Sequence, residues 1–167
     1  MAPPRSNPHV LDIGELPARL SRLSRLIGLD VGTKTIGVAL SDVERRLAAP
    51  LKTVRRTSFS NDARALVELV ATHDAAAIVV GLPFNMNGSE GPRAQSVRAF
   101  VRNLSPLMEI PFVYWDERLS TAAVARSLIE QDASRARRAA VIDRMAAAYI
   151  LQGALDRLTG LMRAQRG

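Results

Sequence analysis

Apolar and polar positions along this chain of 167 residues change period several times, and the changes mark its elements. Leu26 to Val31 is apolar apart from Gly28 and Asp30, and Thr35 to Leu40 is equally rich in β-forming residues, which predicts two strands joined by a tight turn. A turn over Asp42 to Arg46 precedes a third strand through Pro50 to Val54, Pro50 marking a strand start or an edge. Ser60 or Asn61 caps a helix running to about His73, with Ala65, Leu66, Leu69 and Val70 inward. Ala77 to Gly81 is a continuous apolar run, as expected of a strand buried on both faces. A loop dense in turn formers follows from Leu82 to Gly91, then a helix from about Pro92 to Leu104. Ile110 to Trp115 is a fifth strand, and Ser120 to about Gln131 a further helix. Residues Asp132 to Ala139 are polar and basic, and a last helix runs from about Ala140 to Thr159.

The order βββ-α-β-α-β-α-α predicts an α/β fold. Its sheet is mixed and five-stranded, with three antiparallel strands, then two parallel ones, and helices on both faces. Residues 1–25, with Pro3, Pro4, Pro8 and Pro17, are expected to be a peripheral extension. Residues 26–160 form the one domain and 161–167 a tail.

Composition narrows the chemistry. The chain has no cysteine and only two histidines, His9 and His73, which excludes disulfides and thiolate zinc and argues against a histidine metal site. Any metal would be held by carboxylate oxygens, which favours Mg²⁺ or Mn²⁺. No apolar run approaches a membrane span and no secretory signal is present, so a cytoplasmic protein is expected. The net charge is +7, and Lys34 and Lys52 are the only lysines, so the excess is arginine, which suits bidentate contact with phosphate. Nucleic acid is therefore the expected partner; a merely solvated arginine surface is the plainer alternative.

Asp30 ends a buried apolar strand, where a carboxylate needs compensation. Gly32, Thr33 and Lys34 follow it with a backbone free for a tight turn, a hydroxyl and a cation, which suits a phosphate or a metal–phosphate pair. Asp116 and Glu117 end the fifth strand. In the last helix Asp143 shares a stripe with Ala146, Ala147, Ile150 and Ala154, so it points inward. Each acid has a plainer role open to it: Asp30 as a turn residue, Glu117 as a partner of Arg118, Asp143 near a helix N-terminus. Together, Asp30, Glu117 and Asp143 make a like-charge cluster that two divalent ions would convert into a phosphoryl-transfer site. Arg135, Arg137, Arg138 and Arg144 abut Asp143, and Arg118 and Arg126 follow the fifth strand, as a path for phosphates would. Arg93 and Arg98 could extend it. The few aromatics argue against a stacking platform, and Trp115 is expected to pack.

Four motifs carry a resemblance: Gly28-Leu29-Asp30-Val31-Gly32-Thr33-Lys34 with Ile36-Gly37-Val38-Ala39 and Ser41-Asp42; Val80-Gly81-Leu82-Pro83 with Gly88 and Gly91; Asp116-Glu117-Arg118-Leu119-Ser120-Thr121; and Ile142-Asp143 with Ala146-Ala147 and Ile150-Leu151-Gln152. In this order they resemble the YqgF family, also called RuvX, of Holliday-junction resolvase-like proteins and pre-16S rRNA processing nucleases in the RNase H-like superfamily. The resemblance implies an RNase H-like fold and a catalytic and metal-binding triad at Asp30, Glu117 and Asp143. It also implies Mg²⁺ or Mn²⁺ and a phosphodiester substrate, with Arg118 and the loop after Leu82 on the substrate surface. Lys34, Arg118, Arg135, Arg137, Arg138 and Arg144 are the expected substrate contacts. Two departures stand out: Thr35 lies where the family often has a basic residue, and residues before Leu26 fall outside the match.

The leading expectation is a metal-dependent endonuclease maturing the 5′ end of pre-16S rRNA. Resolution of branched DNA, which would call for a two-fold dimer, is the second, and a non-catalytic nucleic-acid-binding or ribosome-assembly factor the third. A monomer and a homodimer are both compatible with the sequence. Asp30-Val31-Gly32-Thr33 also looks like the first phosphate loop of sugar kinases and actin-like ATPases, but those need two lobes and a second such loop.

Overall fold

The computed structural model describes residues 7–119 and 135–166, and of 135–143 the backbone only. The expected helix over 120–131, with Arg126, lies outside the described residues. One sheet forms the centre, in the order β1-β6-β5-β2-β3-β4. Its strands are β1 (Val10–Leu11), β2 (Arg25–Val31), β3 (Thr35–Ser41), β4 (Ala48–Arg55), β5 (Ala75–Leu82) and β6 (Phe112–Asp116). β2, β3 and β4 pair antiparallel, whereas β5 joins β2 and β6 joins β5 in parallel.

The sheet has six strands where five are expected. The sixth, Val10–Leu11, comes from the N-terminal extension and pairs parallel with Phe112–Val113 at the edge of β6. Residues 7–20, expected at the periphery, are tied to the domain. His9 accepts from the Phe112 N–H at 2.9 Å, Asn7 Nδ2 donates to Ser105 Oγ at 3.0 Å, and Leu16 is fully buried. Hydrophobic patterning could not show this, because a two-residue strand is too short to have a period.

Alternation along the strands sorts the two faces. Ile27, Leu29, Val31, Ile36, Val38, Ile78 and Val80 pack against α1 (Phe59–His73) and α2 (Pro92–Leu104). Leu26, Ala39, Ala77, Val79, Val113 and Trp115 pack against α3 (Arg135–Arg166). α1 starts earlier than expected because Ser58, not Ser60 or Asn61, is its cap, accepting from the Asn61 N–H at 3.2 Å. α3 starts at Arg135, so from that residue on the polar, basic stretch placed ahead of the last helix is helical. β6 begins at Phe112, after Pro111, because Pro111 has no N–H to give the ladder.

α3 lies unusually close to the sheet. A Cβ on Gly28 would come within 2.7 Å of Leu151 Cβ and 2.9 Å of the Ala147 carbonyl, and one on Gly153 within 2.8 Å of the Trp115 ring. Glycine on both sides thus lets the helix settle on β2 and β6. The contact of Ala147 and Leu151 with Gly28, and of the Leu158 to Arg163 end with Arg22 and Leu23, sets its direction. α3 runs antiparallel to β2, so the turn carrying Asp143 lies toward the end of β2 that carries Asp30.

Candidate active site

Asp30 is the penultimate residue of β2 and 3% exposed. By alternation it shares the α3 face with Leu26 and Gly28. On that face it has a glycine on either side. Gly37 is its partner on β3, and Gly81 on β5 stands one step beyond the Leu29–Val80 pair. Glu117 is 7% exposed and opens a 3₁₀ turn directly after β6, rather than ending the strand as expected. Its Oε1 lies 2.7 Å from where a Cβ on Gly81 would stand, and that Cβ would also clash with the end of Ile150. The two buried carboxylates thus stand on either side of β5, one on β2 and one just after β6, strands about 10 Å apart.

This space fits a cation. The donor set is oxygen only, and any side chain at position 81 would fill the gap that Glu117 enters. Oxygen donors of this kind suit Mg²⁺ or Mn²⁺. The third expected acid, Asp143, sits on α3 one turn before Ala147, on the stripe that packs against the sheet, with its side chain outside the described residues. Among the described residues no group of three or more His, Cys, Asp or Glu converges. One plainer role for Asp143 falls away. With the helix beginning at Arg135 or earlier, Asp143 is more than two turns inside it, beyond the first turn where the dipole favours acids.

Arg118, expected as a substrate contact and, in the plainer alternative, as the partner of Glu117, pairs with Asp116. Its Nη2 and Nε donate to the carboxylate at 2.6 and 3.0 Å, and its backbone N–H does so at 3.0 Å. That hydrogen bonding holds the Asp116 carboxyl below its ordinary range, against burial that raises it. The same guanidinium lies 5.2 Å from the Phe84 ring centre and reaches the Met86 carbonyl, so Arg118 braces the loop over 83–91. That loop closes on itself through the Asn85 N–H to Ser89 carbonyl bond at 2.9 Å and the left-handed Gly88. Lys34 is exposed at the turn after Asp30, and Arg144 is half-buried on α3. The side chains of Arg135, Arg137 and Arg138 lie outside the described residues. Arg98 pairs with Glu90 and stacks on Tyr114, so it serves the fold.

Two features of the site escaped sequence reasoning. Gly81 was only part of a motif there, since nothing in the order of residues places it between two acids. Arg56 is the second. Its Nη1 donates to the Gly32 carbonyl at 2.7 Å and its N–H to the Lys34 carbonyl at 2.9 Å, while Nε reaches the buried Asp62 at 3.4 Å. Arg56 thereby pins the turn that follows Asp30 to the start of α1. The one available signal was a charged pair, Arg55-Arg56, at the end of a strand adjoining that turn.

Fold and acids define the class: an RNase H-like α/β protein with a carboxylate site at the ends of its parallel strands. Two solved structures share the fold. T. thermophilus RuvC in complex with Holliday junction substrate aligns at TM-score 0.53 and 15% identity, over 82% of this chain and 96% of that one. The yeast mitochondrial Holliday junction resolvase aligns at TM-score 0.51 and 14% identity, over 92% and 86%. Residues 24–157 match the family model RuvX, described as Holliday junction resolvase, and the chain belongs to that family. Family membership places it among the nucleases. Its relatives include proteins of Methylocella silvestris, 65% identical over 89% of this chain and 92% of theirs, and Beijerinckia indica, 64% identical over 89% and 90%. Both carry the name "putative pre-16S rRNA nuclease".

Proposed function

We propose that the chain is a metal-dependent endonuclease that trims the 5′ end of precursor 16S rRNA in the cytoplasm, with Asp30, Glu117 and Asp143 as its catalytic acids. The observation that carries this is the burial of Asp30 and Glu117 on the two sides of β5, with Glu117 Oε1 entering the space that a side chain on Gly81 would fill. Asp30, Glu117 and Asp143 would hold one or two Mg²⁺ or Mn²⁺ ions. When bound, such ions polarise the phosphate and lower the pKa of a water.

The chain's own residues do the rest. Asp30 is fixed by its pairing with Gly37 on β3 and by the Leu29–Val80 pair just before it on β5, so its carboxylate loses little freedom when it binds. Arg56 holds the turn that presents Lys34, whose exposed ammonium can meet a phosphate beside the acids. Arg135, Arg137, Arg138 and Arg144, one to two turns before or beside Asp143, would lead the flanking phosphates past it. Arg118 is committed to Asp116, so its contribution to the substrate is the braced loop over 83–91 more than a free charge.

The test is cleavage of precursor rRNA ends, single-stranded RNA and a four-way DNA junction in Mg²⁺, Mn²⁺ or EDTA. Wild type should cut the rRNA precursor only with metal, and Asp30→Asn and Asp143→Asn should each lose at least about a hundredfold. Preferential cutting of the junction would make the chain a resolvase. Equal cutting by the variants would remove these acids from the mechanism.

A further inference from the structure

At the opposite end of α3 from Asp143 an open cleft of ≈ 930 Å³ runs between the helix, the turn joining β3 to β4, and Arg22-Leu23. It is far too large for a single anion and has an apolar floor that includes Leu23 and Leu158. Its rim carries the exposed side chains of Arg22, Arg46, Arg163 and Arg166. Among the residues lining the cleft the acids are Glu44, which pairs with Arg46 at 3.3 Å, and Asp156, which accepts from Gln152 Nε2 at 2.9 Å. Among the described residues, Arg22, Arg163 and Arg166 have no ion-pair partner.

The walls are built to hold their shape. Arg45 adopts φ 57°, a left-handed conformation uncommon for a residue with a Cβ, and is 6% exposed. Its guanidinium is locked onto the Ser24 carbonyl and Oγ at 3.0 and 2.7 Å. Gln152 ties the same turn to α3 through the Arg46 carbonyl and the Ala48 N–H, both at 2.9 Å. Asp42 completes it by accepting from the N–H groups of Arg46 and Leu47. A hairpin turn so heavily restrained holds its wall of the cleft, with Arg46 on it, at little ordering cost.

We propose that this cleft is a second nucleic-acid contact, taking the sugar–phosphate backbone of a duplex about one turn from the acid pair. The spacing supports it. Positions 143 and 163 on one helix are about 30 Å apart, on the order of one duplex turn. Both lie on the α3 side of the sheet, so a duplex along the helix meets phosphates at each end. Free arginine charge without aromatic side chains favours backbone over base contact. The proposal rests on the nuclease assignment only for the substrate's identity.

The experiment is fluorescence anisotropy in EDTA, where no cutting occurs, with RNA stems of about 6 and about 20 base pairs closed by one loop. The shorter stem, about 20 Å long, cannot span both ends of α3; the longer one can. Wild type should gain affinity with stem length. The double variant Arg163→Ala/Arg166→Ala should bind the long stem at least about tenfold more weakly in 0.1 M salt, and its log–log salt slope should fall by about 1.8. The length gain should vanish with it. Arg64→Ala/Arg102→Ala removes the same charge from exposed positions on α1 and α2, and should leave the length gain intact. An unchanged length gain in the cleft variant, or equal losses in both variants, overturns the proposal. The result is independent of the cleavage panel: a cleft-dependent length gain without cutting would defeat the nuclease assignment alone.

Discussion

A methyl group at position 81 would collide with Ile150 and stand 2.7 Å from Glu117 Oε1. Gly81→Ala should therefore cost about 1–3 kcal/mol in urea unfolding, the usual penalty of overpacking. Cleavage should fall much further than stability, because the methyl takes the space that Glu117 enters; a stable variant with full activity would show that this space has no catalytic role. Asp116 gives the pH dependence at this scale. Its folded-state pKa lies below the ordinary 3.8, chiefly through its hydrogen bonds with Arg118. The pair therefore stabilises the fold above the unfolded pKa, and this contribution is lost as pH falls through the depressed folded value. Asp116→Asn should be less stable than wild type by a constant amount above about pH 5, and the two should converge as pH falls below the ordinary carboxylate range through the depressed folded value. The candidate acids and Arg118 were picked out from residue types and positions. That Arg118 chooses Asp116 over Glu117 was not, since the choice depends on the 3₁₀ turn that aims Glu117 at Gly81.

At the scale of elements, helices and long strands announced themselves through their periods. β2, β3, β5 and α2 fall within two residues of their expected limits. The failures share one cause, which is that contacts distant in sequence decide them. β1 exists because the edge of β6 offers unpaired backbone groups, and a two-residue segment finds them. Leu16 is buried because α3 and the first residues of β2 leave a pocket for it. Leu16→Ala should accordingly destabilise the whole domain by about 2–5 kcal/mol in denaturant unfolding, as a core leucine does. A loss below about 0.5 kcal/mol would return this segment to the periphery. α3 extends at least five residues before its expected start because Arg135, Ala136, Arg137 and Arg138 are good helix formers whose charge had argued for a loop.

At the scale of the molecule, the proposed metal site draws on β2, the turn after β6 and α3, which only the folded chain brings together. Metal binding is then linked to global stability. Saturation with Mg²⁺ or Mn²⁺ at a hundred times Kd should add about 2.7 kcal/mol and raise Tm by about 5–10 °C. Asp30→Asn should lose most of that rise while folding normally without metal. A rise of equal size in wild type and variant would place the ion elsewhere.

The sequence by itself determined the α/β class, the antiparallel-then-parallel order of the main strands and the family, and it nominated the candidate acids and basic residues. Those follow from local period and residue chemistry, which need no partner to be read. Tertiary structure alone decided the sixth strand, the closeness of α3 to Gly28, the alignment of Asp30, Gly81 and Glu117, and the cleft at the far end of α3. Each depends on strand register and helix direction, and these bring together residues as far apart as 22 and 163, whose proximity no local pattern encodes.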